Sequence, residues 1–169
     1  VDAFLMLDGK TAVQSPLYDA SRPYANRDPR LTATVVYDGY RWSDNVDDGT
    51  KDKIIYINPD ALDKTDAFAG LNKNQTPTGY YVRKYYDAKH EQRMQSSINI
   101  ITMRYADVLL MYAEAMNEQG KMSREVWNKT IRAIRERAGV NDEQALAYPS
   151  DLSQTQMRLL IRRERRCEL

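Results

Sequence analysis

Cysteine and histidine each occur once in this sequence, as Cys167 and His90. A single cysteine excludes an internal disulfide and a multi-cysteine metal site. A single histidine is too little for a His-based metal site or a Ser-His-Asp triad, so no metal and no cofactor is expected. Charge of one sign is lacking too. Twenty-five Lys and Arg against 24 Asp and Glu leave a formal charge of +1. That balance supplies no field to gather nucleic acid, which is excluded as a partner class. No apolar run approaches the roughly 18 residues of a membrane span. Phenylalanine and tryptophan are scarce, two of each beside twelve tyrosines. Tyrosine suits wet contact surfaces and cores with one polar exit, and sugar binding is one use of such surfaces.

What is present suffices for a folded domain: 169 residues, 42% of them hydrophobic and 29% charged. The chain divides near residue 93. Residues 1–92 hold five of the six prolines and five of the seven glycines, a density that reads as a loop-rich lobe with short extended pieces. The β-branched run from Leu31 to Tyr37 predicts a strand, and Asp38-Gly39 a turn after it. Lys53 to Ile57 predicts a second short strand, and Gly79 to Tyr86 a third extended piece. His90 falls in a polar run and is expected to be a solvated loop residue.

Residues 93–169 read as helical. Tyr105, Val108, Leu109, Tyr112, Ala113 and Met116 recur at helical spacing and predict one apolar stripe. Gly120 supplies a left-handed stop. Ser123 caps a second helix, with Trp127, Ile131, Ile134 and Ala138 as its stripe and Gly139 at its end. Short connections make such helices antiparallel neighbours. The pair spans Ile101 to Gly139, close to a tetratricopeptide unit of about 34 residues. Ser153 and Gln156 form a capping box for a third helix, with Met157, Leu160 and Ile161 as its apolar positions. The expected fold is mainly α: tetratricopeptide-like hairpins in an α-α superhelix, with the loop-rich lobe carrying a few short strands. The third helix reaches Leu169 without a stop signal, so the stretch reads as a piece of a larger single-domain protein.

Several patterns stand in order along the chain: Asn26-Arg27-Asp28-Pro29-Arg30-Leu31, then Thr78-Gly79-Tyr80-Tyr81-Val82-Arg83-Lys84-Tyr85, then the run from Met103 to Glu118, then Ile131 to Gly139, and last Ile161-Arg162-Arg163-Glu164-Arg165-Arg166-Cys167-Glu168-Leu169. Together they resemble the SusD/RagB family of surface lipoproteins, at the family's spacing and with Cys167 at a variable position. The matches keep family order and span nearly the whole chain, as its C-terminal portion. The resemblance implies a non-catalytic glycan- or nutrient-binding component of an import complex on the outer face of the outer membrane. It implies a TonB-dependent outer-membrane transporter as partner, an oligosaccharide or other nutrient as ligand, and membrane association only through a lipid anchor lying outside this stretch.

Arg104, Asp107, Glu114, Glu118, Arg135, Arg137, Glu164 and Arg165 could suggest an active site of paired carboxylates. Glycoside hydrolysis needs two carboxyls across a cleft. Here the carboxylates share helix faces and arginines are plentiful, so structural ion pairs are expected, with the arginine-rich last helix locked onto Asp107 and Glu114. Tyr37, Tyr40 and Trp42 are the sharpest binding candidates. Tyr40-Arg41-Trp42 puts two aromatics on one side of an extended segment, and aromatic faces stack on the apolar C–H face of a pyranose. Trp42 could equally anchor the core of the loop-rich lobe. The alternative to nutrient binding is a helical-repeat scaffold or adaptor that holds a peptide or protein.

Overall fold

The computed structural model describes residues 1–42, 53–57, 76–86 and 98–169. In chain order its elements are α1 (Arg30–Thr34), β1 (Val35–Val36), β2 (Tyr40–Trp42), β3 (Lys53–Ile55), β4 (Tyr81–Val82), α2 (Tyr105–Glu118), α3 (Arg124–Trp127), a π-helical segment (Asn128–Arg132), α4 (Ala133–Arg137), α5 (Glu143–Leu146) and α6 (Gln154–Glu168). Regular structure is thus mainly helical with a few short strands. His90 lies outside the described residues. The chain forms two compact units, Val1–Leu31 with Ile101–Leu169, and Thr32–Ile100. The first 31 residues belong with the helices, whereas composition places the division near residue 93.

In the helical unit, α2 packs against α6 and the π-helical segment. The core is Leu110, Ala113, Trp127, Ile131, Ile134, Met157 and Ile161, with Ala106, Leu109 and Leu160 packed on it. The expected stripe of α2 is corrected here. Tyr105 is 75% exposed, and Val108 and Tyr112 are exposed as well. The buried face is turned by about one residue, to Ala106, Leu109, Leu110, Ala113 and Asn117. Asn117 fixes that phase: its amide donates to the Gln154 carbonyl at 3.1 Å, and the Gln154 amide donates back to the Asn117 carbonyl at 2.7 Å. Rotating α2 would break this pair and bury the Tyr105 hydroxyl.

Both glycine stops form as Schellman turns. Gly120 (φ 66°) donates to Asn117 and Lys121 to Met116; Gly139 (φ 93°) donates to Glu136 and Val140 to Arg135. Between Ser123 and Gly139 the helix is not uniform. The buried Thr130 hydroxyl donates to the Val126 carbonyl at 2.7 Å, and the backbone widens there into the π-helical segment. The Ser153–Gln156 capping box opens α6 as expected. In the N-terminal stretch, the Arg27 guanidinium donates to the carbonyls of Val1, Phe4 and Pro23 and so gathers the loop. Gly9 lies so close to α5 that a Cβ would come within 2.9 Å of the Ala145 backbone.

The run from Leu31 is also corrected: Arg30–Thr34 is helical, and only Val35–Val36 is strand. Asp28-Pro29 explains it. Asp28 Oδ1 accepts from the Arg30 amide at 3.0 Å and Pro29 pre-sets a helical φ, so a capped turn outcompetes the β preference of Thr32 and Thr34. In the Thr32–Ile100 unit two antiparallel ribbons form. One pairs Val35 with Val82 and Val36 with Tyr81; the other pairs Tyr40 with Ile55 and Trp42 with Lys53. The Asp38-Gly39 turn joins β1 to β2, closed by Tyr40 N–H to the Tyr37 carbonyl at 3.0 Å. Val36, Tyr40, Ile55 and Ile57 make the small core.

Candidate functional site

Strand alternation sorts the Tyr40-Arg41-Trp42 segment. Tyr40 points inward and is buried, Arg41 is exposed, and Trp42 is half-buried. The Tyr40 hydroxyl donates to the Thr32 carbonyl at 3.1 Å. Around it the rings form a ladder. Tyr37 meets Tyr40 edge-on with centroids 5.3 Å apart, Trp42 lies 6.1 Å from Tyr40, and Tyr86 meets Trp42 edge-on at 4.9 Å. The Arg83 guanidinium carbon stands 5.7 Å from the Trp42 ring centroid. Each edge-on pair contributes about 0.5–1.5 kcal/mol beyond its area, so these rings are fixed before any ligand arrives. Burial, with Tyr40 adding to it, pushes the Tyr37 phenol above its ordinary range.

All three aromatic candidates therefore sit in one cluster, but they differ in what they offer. Tyr40 is a support. Trp42 and the partly exposed Tyr86 carry the accessible ring surface. Tyr85, Tyr86 and Arg83 were not singled out as site residues from the sequence. The signal was the aromatic and basic run Tyr80 to Tyr86, but only the pairing of β1 with β4 brings it beside Trp42.

The charged candidates converge in the helical unit instead. Arg30, itself buried, reaches Asp28 at 2.6 Å, Glu164 at 2.7 Å and Glu168 at 3.3 Å. Arg135 binds the other Glu164 oxygen at 2.9 Å and donates to the Ala145 carbonyl. Arg104 and Arg137 both reach Glu168 Oε1, at 2.5 and 2.6 Å. Asp107 pairs with Arg165, and Glu114 with Arg162 at 3.4 Å near the surface. Burial alone would lower the Arg30 pKa, but the Asp28 hydrogen bond and the Glu164 charge outweigh it and hold it raised. Burial pushes the neighbouring Cys167 thiol up to about 11, so it stays protonated and inert. Glu164 and Glu168 are both buried and shared among arginines, and Glu164 lines a small cavity together with Asp28, Arg30, Arg135 and Cys167. Among the described residues no cluster of His, Cys, Asp and Glu could hold a metal ion, and no helix is long and apolar enough to cross a membrane.

The sequence profile of the SusD family matches residues 1–169. The chain belongs to the SusD family. A SusD-like protein P2 from Formosa agariphila is 38% identical over 94 residues, covering 53% of this chain and 18% of that protein. A SusD-like carbohydrate-binding protein from Bacteroides fragilis superposes with a TM-score of 0.67 at 28% identity, over 99% of this chain and 31% of its own. A second SusD-like protein from the same species gives 0.65 at 30% identity, over 99% and 32%. The chain thus spans about a third of the length of these solved relatives. In SusD-family terms, the motifs that carry the resemblance have a physical role here. Asp28 and Arg30, Arg104, Arg135 and Arg137, and Glu164 and Glu168 come from four separate motifs and meet in one ion network, with Asp28, Arg30, Arg135, Glu164 and Glu168 buried at its centre and Arg104 and Arg137 at its rim.

Proposed function

We propose that this SusD-family protein is a non-catalytic glycan-binding surface component of an outer-membrane import complex, and that its ligand contacts in this stretch come from the Thr32–Ile100 unit. The observation that carries the reading is the preassembled ladder Tyr37–Tyr40–Trp42–Tyr86 with Arg83 at the Trp42 ring. A sugar ring desolvates against such a surface without first ordering it. Family membership and the solved carbohydrate-binding relative support the ligand class. A TonB-dependent transporter as partner, an outward-facing place on the outer membrane, a lipid anchor and a tetratricopeptide-like superhelix for the helices belong to the same reading and rest on the family.

The helices do offer exposed rings, at Tyr105 and Tyr112 on α2. Two helical turns set them roughly 10 Å apart along the axis, which gives separate rings rather than one platform. Trp42 is therefore placed ahead of every helical residue, with Tyr37 and Tyr40 holding it.

The test is calorimetric titration with a panel of neutral and acidic oligosaccharides, alongside assays for reducing ends. Some panel member binds, and none is cleaved. A stacked ring is worth about 1–3 kcal/mol, by analogy with base stacking, so Trp42→Ala weakens binding roughly 5- to 150-fold. No binding to any panel member, or release of reducing sugar, contradicts the reading.

A further inference from the structure

Tyr85 is the least expected residue in the described backbone. Its φ is +67°, the left-handed region that β-branched and bulky residues avoid. The other described non-glycine residue with positive φ is Asn26, a type that tolerates it. The strain is held by a well-tied turn. Tyr86 N–H donates to the Arg83 carbonyl at 3.0 Å, and the Arg83 and Lys84 amides both donate to the Thr34 carbonyl, at 2.9 and 3.3 Å. The ring that this turn presents is not used in packing: it is 59% exposed, while Tyr86 next to it turns onto Trp42. The Lys84 ammonium stands 5.7 Å from the Tyr85 ring centroid, and Arg83 stands at the Trp42 ring. A strained backbone that costs stability and displays an exposed aromatic beside a lysine points to a contact residue rather than a packing residue.

We propose that the Arg83–Tyr86 turn is an anion-selective sugar subsite, in which Tyr85 stacks on a pyranose ring and Lys84 and Arg83 receive its carboxylate or sulfate. The inference deepens the glycan-binding reading and rests on it. The ring supplies the apolar contact, and Lys84 beside it, with Arg83 two residues before Tyr85 at the Trp42 ring, favours a glycan built of uronate or sulfated sugars over a neutral one.

The experiment titrates the protein with neutral malto- and xylo-oligosaccharides, with oligogalacturonate and with a sulfated galactan oligosaccharide, and repeats the binding arms with Tyr85→Ala, Tyr85→Phe and Tyr85→Gly. Binding of an uronate or a sulfated oligosaccharide, at least tenfold tighter than the neutral ones, is expected. Tyr85→Ala and Tyr85→Gly then weaken it roughly 5- to 150-fold, the range of one stacked ring, and Tyr85→Phe keeps it within about threefold by the same measure. Because glycine accepts a positive φ freely, Tyr85→Gly melts no lower than wild type. A ring that merely packs gives the opposite melt, and that result overturns the inference. So does preference for a neutral glycan, or affinity unchanged in Tyr85→Ala. Failure of every panel member to bind contradicts instead the glycan reading on which it rests.

Discussion

In the helical unit Trp127 is fully buried and its indole N–H donates to the Leu146 carbonyl at 2.8 Å; in the Thr32–Ile100 unit Trp42 is half-buried and is held by rings and a guanidinium. Charges divide the same way. The helical unit buries Arg30, Arg135, Glu164 and Glu168 in one network of ion pairs. The other unit leaves Arg41 exposed and sets Lys84 beside an exposed tyrosine. One unit spends its special residues on holding itself together and the other displays them. The difference lies in packing partners, because both units draw on the same residue types.

Two substitutions test the helical unit's side of that comparison, its dependence on buried charge. The larger effect is expected at Glu164→Ala, which strips Arg30 and Arg135 of a shared carboxylate in a buried site. Removing one member of a buried ion group costs about 3–5 kcal/mol. Glu114→Ala, which loses the outer pair to Arg162, costs about 1 kcal/mol or less. Chemical denaturation of both variants measures the contrast, and similar costs would mean that the network is not a structural keystone. Next comes the phase of α2. Leu110→Ala costs roughly 2–5 kcal/mol, because the residue is fully buried in the core. Tyr105→Ala, on the exposed face, stays within about 0.5 kcal/mol. The half-buried Leu109 falls between them. A reversed order for Leu110 and Tyr105 would restore the stripe read from the sequence.

That stripe shows where sequence reasoning stops. Leu109 and Ala113 belong to both candidate faces; Tyr105, Val108 and Tyr112 extend one and Ala106 and Leu110 the other, all at helical spacing. Only the partner surface chooses, and the Asn117–Gln154 pair that records the choice joins residues far apart in the chain. Local chemistry was legible: the Ser153 capping box, the Gly120 and Gly139 stops, and Trp127, Ile131 and Ile134 in the core all follow from short-range rules. The Asp28 cap is a short-range signal as well, and it overrides the β preference of Thr32 and Thr34. At the candidate site, the period of two placed Tyr40 and Trp42 on one side of β2. Arg83 and Tyr86 could not be placed beside Trp42 without the β1–β4 pairing, a non-local contact that no local pattern encodes.

The sequence contains two tryptophans, so the comparison can be read from two signals. The most direct measurement is an amide and indole NMR titration of the protein with the tightest oligosaccharide of the panel. The account predicts that the Trp42 indole N–H resonance moves with saturation matching calorimetry, while that of Trp127, hydrogen-bonded to Leu146, stays in place. A saturating shift at Trp127 with Trp42 unmoved would put the ligand on the helical unit and contradict the account.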